Sequence, residues 1–183
     1  RLNTGGTSLQ NQEVRNCVYF GRFNNLLKEL NQNKIWRALY NSQMPNKRMK
    51  DEELILRFIA LYYKLDEYTK PMNEFLSKFM ANKRNISNEE IERIKDVFNE
   101  TVNFIYQKIG LRAFRPKRNI NVAAFDSVIY TVAKYKNNLK KDLNEGIEKL
   151  FSDKAYLKAI TEGTTDEDVV KTRMAIAKDF LVK

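Results

Sequence analysis

The chain has 183 residues, 43% of them hydrophobic, which is enough apolar material for one domain or two closely packed helical halves. It contains no histidine, which excludes Ser-His-Asp and Cys-His nucleophile systems, zinc-protease helices and histidine-metal nuclease centres. The one cysteine, Cys17, can form no internal disulfide and offers no metal-ligand spacing. We therefore expect a buried structural thiol, a reducing cytoplasmic setting and no metal site.

The charge is strongly basic, with 33 Lys and Arg against 23 Asp and Glu, a net charge of +10. This surplus attracts polyanions through counterion release, so DNA is a possible partner, although many basic helical proteins bind no nucleic acid. No apolar run approaches the roughly 20 residues of a membrane span, and no secretory leader is visible. We expect a cytoplasmic protein without membrane association. Because the chain begins at Arg1, we also expect a segment of a longer protein.

Helical periodicity begins near the N-terminus. Thr7 followed by Gln10 matches a capping box, which predicts a first helix that reaches about Tyr19 and ends at Gly21. Apolar residues then recur at helical spacing, and a basic loop, NSQMPNKRMK, follows. Asp51 is the expected cap of the next helix.

The second half continues the helical pattern. Pro71 suits a helix first turn, and Ser87 with Glu90 forms a capping box for a long helix that stops at Gly110. Two short helices, 143–151 and 156–160, precede a last helix that begins at Thr164 or Thr165. No strand alternation or repeat is present, so the predicted fold class is all α, an irregular bundle of roughly eight or nine helices.

The most basic irregular stretch is the loop LRAFRPKRNIN, residues 111–121. One interpretation is contact with a nucleic-acid backbone, with Phe114 as a stacking group. The other is a set of solvated charges beside a buried Phe114. The candidate nucleic-acid residues are Arg112, Arg115, Lys117 and Arg118.

The opening stretch, RLNTGGTSLQNQEVRN, can form a phosphate cradle. Glycines let successive backbone N–H groups turn toward an anion, and a helix N-terminus adds donors and positive potential. Arg1 could neutralise a phosphate, and Asn3 could ligate Mg²⁺ or a phosphate oxygen. An ordinary tight turn before a helix is the alternative.

The same stretch resembles a family of N-terminal domains found in GmrSD-type modification-dependent restriction enzymes and related phage-defence proteins. The resemblance extends through RMKDEELILRFIALYY, MNEFLSKFM, the FRP segment at 114–116, VAAFDSVI at 122–129, and the turn before Val170 and Arg173. It therefore covers most of the chain.

The resemblance implies a parent protein that is a nucleotide-dependent DNA endonuclease. Its ParB-like α/β domain, with an Asp-Gly-Gln-Gln-Arg motif absent here, would precede this chain and be its partner, with an NTP and Mg²⁺ as cofactors. Residues 1–20 would close the nucleotide domain, and 21–183 would form a helical domain that is not catalytic alone. The implied nucleotide-phosphate residues are Arg1, Asn3, Thr4, Gly5, Gly6, Glu13 and Arg15.

Two other functions stay open from the residues themselves. The chain could be a self-sufficient basic helical module that binds nucleic acid, or a scaffold that binds only protein through an uncovered first helix. Arg57 and Arg173 have two interpretations: a functional contact or a structural ion pair. Asp126 lies among apolar residues and more often pairs with an arginine than acts in catalysis, so no catalytic residue is assigned.

Overall fold

The computed structural model of the chain describes residues 8–183, and within that range it is all α, which confirms the predicted fold class. It contains ten α-helices and three short 3₁₀ helices, with one isolated bridge between Leu139 and Val182 as its only extended pairing in this range. The helices are α1 Asn11–Val18, α2 Arg22–Asn31, α3 Lys34–Tyr40, α4 Lys50–Lys64, α5 Met72–Asn82, α6 Asn88–Lys108, α7 Val122–Lys134, α8 Leu143–Leu150, α9 Lys154–Ala159 and α10 Glu167–Leu181. The 3₁₀ helices are Leu65–Glu67, Gly110–Arg112 and Lys136–Asn138.

Helix α7 is the centre of the fold, because it packs against α4, α6 and α10. Its sequence is apolar around most of its circumference, and Phe125 is fully buried. That ring contacts Trp36 of α3 at a centroid distance of 5.7 Å and Phe114 at 4.8 Å. A helix that is apolar nearly all round must be enclosed by others, which is why α7 lies among α4, α6 and α10.

The apolar stripes of α2, α4, α5 and α6 face this common core. Ser87 accepts a hydrogen bond from the Glu90 backbone N–H at 3.2 Å, so the long helix α6 begins at the predicted cap. Helices α8 and α9 pack against α10 at the C-terminal side of the bundle. None of the helices in residues 8–183 combines the length and the apolar content that a bilayer crossing requires.

Four helix starts differ from the sequence-based prediction. Helix α1 begins at Asn11, and its capping pair is Gln10 with Glu13, whose carboxylate accepts from the Gln10 N–H at 2.6 Å. Thr7 lies outside the described residues. Helix α10 begins after Asp166, since this residue adopts the extended cap conformation. Helix α4 begins one residue before Asp51, which is the third difference, and α9 adds a fourth because it begins at Lys154, two residues before the predicted start.

Two side chains occupy environments other than those expected. Asp51 is fully buried and accepts from the Arg37 guanidinium at 2.7 Å and from the Asn46 N–H at 2.8 Å, so it holds the preceding loop onto α3. Cys17 is exposed on α1, and the expectation of a buried thiol is wrong. The polar residues of α1, Gln12, Arg15 and Asn16, are buried in its place, which turns Cys17 outward.

Candidate functional site

Helix α1 is anchored to the bundle by the guanidinium of Arg15, which is only 2% exposed. It donates to the Gln12 side chain at 2.8 Å, to the Asn73 side chain on α5, and to the Glu53 carboxylate on α4. Burial lowers the pKa of Arg15, and the charge of Glu53 partly offsets this effect. Arg15 was predicted to bind phosphate, but its N–H groups donate to side chains of the bundle instead.

A second buried contact fixes the same helix. The Asn16 amide donates to the Glu52 carboxylate at 2.9 Å and accepts from the Gln12 amide at 2.9 Å. Burial raises the pKa of Glu52, which is 7% exposed. Polar residues on the inner face of α1 thus position its N-terminus against α4, and the sequence analysis did not identify this role for Gln12 or Asn16.

Glu13 joins the start of α1 to the loop before α4. Its carboxylate caps Gln10 and forms an ion pair with Arg48 at 3.2 Å, and Arg48 also donates to the Ser8 carbonyl. The other predicted phosphate residues, Arg1, Asn3, Thr4, Gly5 and Gly6, lie outside the described residues. The N-terminal end of the described residues therefore lies beside the cationic loop that precedes α4.

A cavity of about 410 Å³, here called the α1 cavity, opens at this place. Three cationic side chains line it, whereas its only carboxylate, Glu53, is bonded to Arg15. Arg48 pairs with Glu13 and Arg57 with Asp126, so Lys50 is the lining cation that forms no ion pair among residues 8–183. A pocket of this size with such a cation suits a phosphate-bearing ligand. Its lining residues are Gln10, Tyr40, Arg48, Lys50, Glu53, Leu54, Arg57, Ile120 and Val122.

Arg57, at the floor of the α1 cavity, belongs to a buried charge network. It donates to both oxygens of Asp126, with Nε–Oδ1 at 3.0 Å, and Arg173 donates to the same carboxylate at 3.1 Å. Arg173 also donates to the Thr164 carbonyl at 2.6 Å. Burial alone would lower the pKa of Arg57, but the charge and hydrogen bonds of Asp126 have the larger effect and raise it. Asp126 therefore pairs with two arginines and joins α4, α7 and α10.

The candidate nucleic-acid loop divides into structural and exposed cations. Arg115 is half-buried and donates to the Leu111 and Leu39 carbonyls, and Arg112 pairs with Glu148 at 2.7 Å. Lys117 and Arg118 are exposed, and neither forms an ion pair within residues 8–183. Phe114 is fully buried against Phe125, so its ring is not available to stack on a base.

Two segments of more than 20 residues carry positive charge without any acidic residue. Residues 30–50 contain Lys34, Arg37, Lys47, Arg48 and Lys50, and residues 101–125 contain Lys108, Arg112, Arg115, Lys117 and Arg118. The two segments contact each other, because α3 packs against the 3₁₀ helix at Gly110–Arg112 and Arg115 donates to Leu39 at 2.8 Å. We call their combined surface the acid-free face because neither segment contributes a carboxylate to it, although Arg37, Arg48 and Arg112 pair with carboxylates of neighbouring elements.

The outward side of α1 is apolar. Phe20 is 74% exposed and Val18 is 53% exposed, and Leu9, Val14 and Cys17 are exposed beside them. An amphipathic helix that turns polar residues inward and apolar residues outward is inverted relative to a surface helix. This side of α1 has the composition of a protein contact surface.

Arg48 and Lys50 were not singled out from the sequence, although the absence of acidic residues from 30 to 50 was a signal that could have found them.

Comparisons with protein-family models, with curated proteins and with solved structures gave no match to this chain.

Proposed function

We propose that this chain is the helical part of a nucleotide-dependent DNA restriction protein of the GmrSD type and contributes one edge of its NTP-phosphate site. The observation that carries the proposal is the α1 cavity, where Arg48, Lys50 and Arg57 line the same pocket as Gln10, the residue before α1. Phosphate groups bind at such sites through backbone N–H groups and cationic side chains. The chain would bind phosphate and would not hydrolyse nucleotide alone.

The roles of Glu13 and Arg15 in this proposal are positional. Arg15 locks α1 onto α4 and α5, while Glu13 holds Gln10 and Arg48 at the rim of the α1 cavity. In this proposal both residues position α1 and do not touch the nucleotide. Lys50, which is exposed and forms no ion pair among the described residues, is the best placed to contact phosphate directly.

The apolar side of α1 supplies a surface for the partner domain. Phe20 and Val18 lie at the opposite end of α1 from the phosphate motif, so an α/β domain packed along this helix would cover them. Burying Phe20 would contribute at most about 1.5–3 kcal/mol to the assembly, and the half-exposed Val18 less, before the cost of association. A protein-binding scaffold, the third interpretation, uses the same surface as its only activity.

In this proposal the phosphates of the nucleotide would supply the main ligands of a magnesium ion. Mg²⁺ is commonly held by one or two carboxylates, waters and substrate phosphates. Among residues 8–183 no group of three potential metal ligands comes together, and Glu13 is engaged with Gln10 and Arg48. Within the described residues we therefore propose phosphate contacts, and Asn3 is the motif residue suited to the metal.

The proposal is tested by calorimetric titration of the purified chain with Mg·ATP and Mg·GTP. Lys50→Gln should weaken binding severalfold, whereas Lys154→Gln, which removes an exposed cation on α9, should leave it unchanged. Asn3→Ala should weaken binding as well. Equal affinity in all variants, or nucleotide hydrolysis by the chain, would contradict the proposal.

The acid-free face favours a second candidate, a self-sufficient module that binds nucleic acid. Its exposed cations, Lys34, Lys47, Lys117 and Arg118, carry charge that no carboxylate in either segment neutralises. Such a surface binds phosphate backbones with a marked salt dependence. The two candidates differ in Asn3→Ala, which should weaken nucleotide binding under the first and leave all binding intact under the second. Under the second, charge reversal at Arg115 and Lys117 should weaken DNA binding.

A further inference from the structure

We infer that a second cavity of the chain, between α3 and α6, binds an unpaired nucleotide unit, with the base on Tyr106 and the phosphate toward Lys34. This cavity, here called the α3–α6 cavity, has a volume of about 610 Å³ and is lined by Gln32, Lys34, Arg37, Ala38, Asn41, Ser42, Gln43, Tyr106 and Leu111. It shares no lining residue with the α1 cavity, so the inference does not depend on the proposed NTP-phosphate site.

The charges of the α3–α6 cavity select for an anion. No carboxylate lines it, and Lys34 is an exposed cation that forms no ion pair in the described part of the chain. Arg37 is 6% exposed; one of its nitrogens donates to Asp51, while Nε and the other terminal nitrogen have no hydrogen-bond partner. Its charge is balanced by Asp51 and its guanidinium lies over the Tyr40 ring, so Lys34 is the lining cation that is available to an anion.

The remaining lining groups suit a nucleobase. The Tyr106 ring is 41% exposed and has no aromatic neighbour within the described residues, so one face can receive a base, and Leu111, 48% exposed, lies beside it. Gln32, Asn41 and Gln43 add amide groups that both donate and accept hydrogen bonds. Single-stranded nucleic acids are bound by this combination of aromatic stacking, amide hydrogen bonds and a cation for the phosphate.

Duplex DNA keeps its bases stacked inside the helix, so it cannot place one on Tyr106 without extruding it. The expected ligand is therefore a single strand or a free mononucleotide, which share the same base and phosphate chemistry. A cavity of this volume accommodates one such unit.

The test is a fluorescence anisotropy titration with a labelled oligothymidylate of about 12 nucleotides and with the matching duplex. The single strand should bind more tightly than the duplex, and Tyr106→Ala should weaken single-strand binding by at least about fivefold. Tyr63→Ala, at a tyrosine of similar exposure on α4, should bind as the wild type does. Lys34→Gln, which keeps the tyrosine, should weaken binding and reduce its salt slope by about 1.

Competition distinguishes the two sources of the nucleotide. Displacement of the labelled strand by thymidine monophosphate indicates that a free nucleotide suffices, whereas displacement by unlabelled strand alone indicates a unit within a strand. Wild-type affinity in both Tyr106→Ala and Lys34→Gln would overturn the inference. Displacement by inorganic phosphate as effective as displacement by thymidine monophosphate would also overturn it, because the base would then contribute nothing.

Discussion

The buried arginines and the exposed lysines of this chain carry the same charge but serve different purposes. Arg15, Arg57 and Arg173 lie on helices that face the core, and each donates to a carboxylate on another helix. Lys50 and Lys117 lie in or beside loops of the acid-free face, and neither forms an ion pair within residues 8–183. Guanidinium groups suit buried forks to carboxylates, whereas lysines remain hydrated point charges. The net charge of the sequence does not distinguish these two groups, although only the exposed lysines are available to bind a ligand.

The largest effect should come from removing the shared carboxylate of the buried network. Asp126→Asn leaves two buried guanidinium groups without their counter-charge, and this should lower the free energy of unfolding by about 3–5 kcal/mol. Urea denaturation measures the change. Asp96→Asn, at an exposed residue of α6, should change it by less than about 0.5 kcal/mol. Equal unfolding midpoints for the two variants would show that the network contributes nothing.

A smaller, local effect is expected at helix α1. Arg15→Ala removes the donors that Gln12, Asn73 and Glu53 accept, and we expect a loss of about 2 kcal/mol. Hydrogen exchange should accelerate in α1 and remain slow in α7. Lys78→Ala, at an exposed cation of α5, is the control. Unchanged protection of α1 in Arg15→Ala would contradict the anchoring role.

The exposed cations should affect binding and leave folding unchanged. The double variant Lys117→Gln, Arg118→Gln should reduce the salt slope of duplex DNA binding by roughly 2, measured between about 50 and about 200 mM salt. Lys154→Gln with Lys171→Gln removes the same charge from exposed positions of α9 and α10 and should leave the slope unchanged. An equal reduction in both double variants would mean that net charge, rather than the acid-free face, determines binding.

The smallest effect concerns Glu52, which lies buried beside the anchored helix. Its raised pKa means that the folded protein holds the Glu52 proton more tightly than the unfolded chain does. The stabilisation is therefore complete at low pH and is lost as the pH rises through the raised pKa. Urea unfolding of wild type and Glu52→Gln over a pH series should show wild type losing stability relative to the variant with rising pH. A difference that is independent of pH would contradict this assignment.

The helical fold could be predicted from the sequence because apolar spacing and the Ser87 cap are local signals. The start of α1 could not be predicted as well, since the Thr7–Gln10 spacing and the Gln10–Glu13 pair both resemble caps and only the second begins the described helix. Likewise Asp51 resembles a helix cap in sequence, but contacts with Arg37 and Asn46 draw it into the interior.

The parts of the candidate site that depend on contacts between residues far apart in the sequence could not be predicted. The pairing of Asp126 with Arg57 spans 69 positions and that with Arg173 spans 47, so no local spacing reports it, although Asp126 among apolar residues indicated a partner. The two acid-free segments are visible in the sequence, but their contact through Arg115 and Leu39 requires the fold. The polar inner face of α1 is explained by Glu52 and Glu53 of α4, whose carboxylates accept hydrogen bonds from α1. The sequence does not show that these residues meet.

The most direct test of the proposed NTP-phosphate edge is an amide NMR titration of the isotope-labelled chain with Mg·ATP. The account predicts shifts concentrated at Gln10, Arg48 and Lys50 around the α1 cavity, with no conversion of ATP to ADP in the sample. Shifts that avoid these residues, or the appearance of ADP, would contradict it.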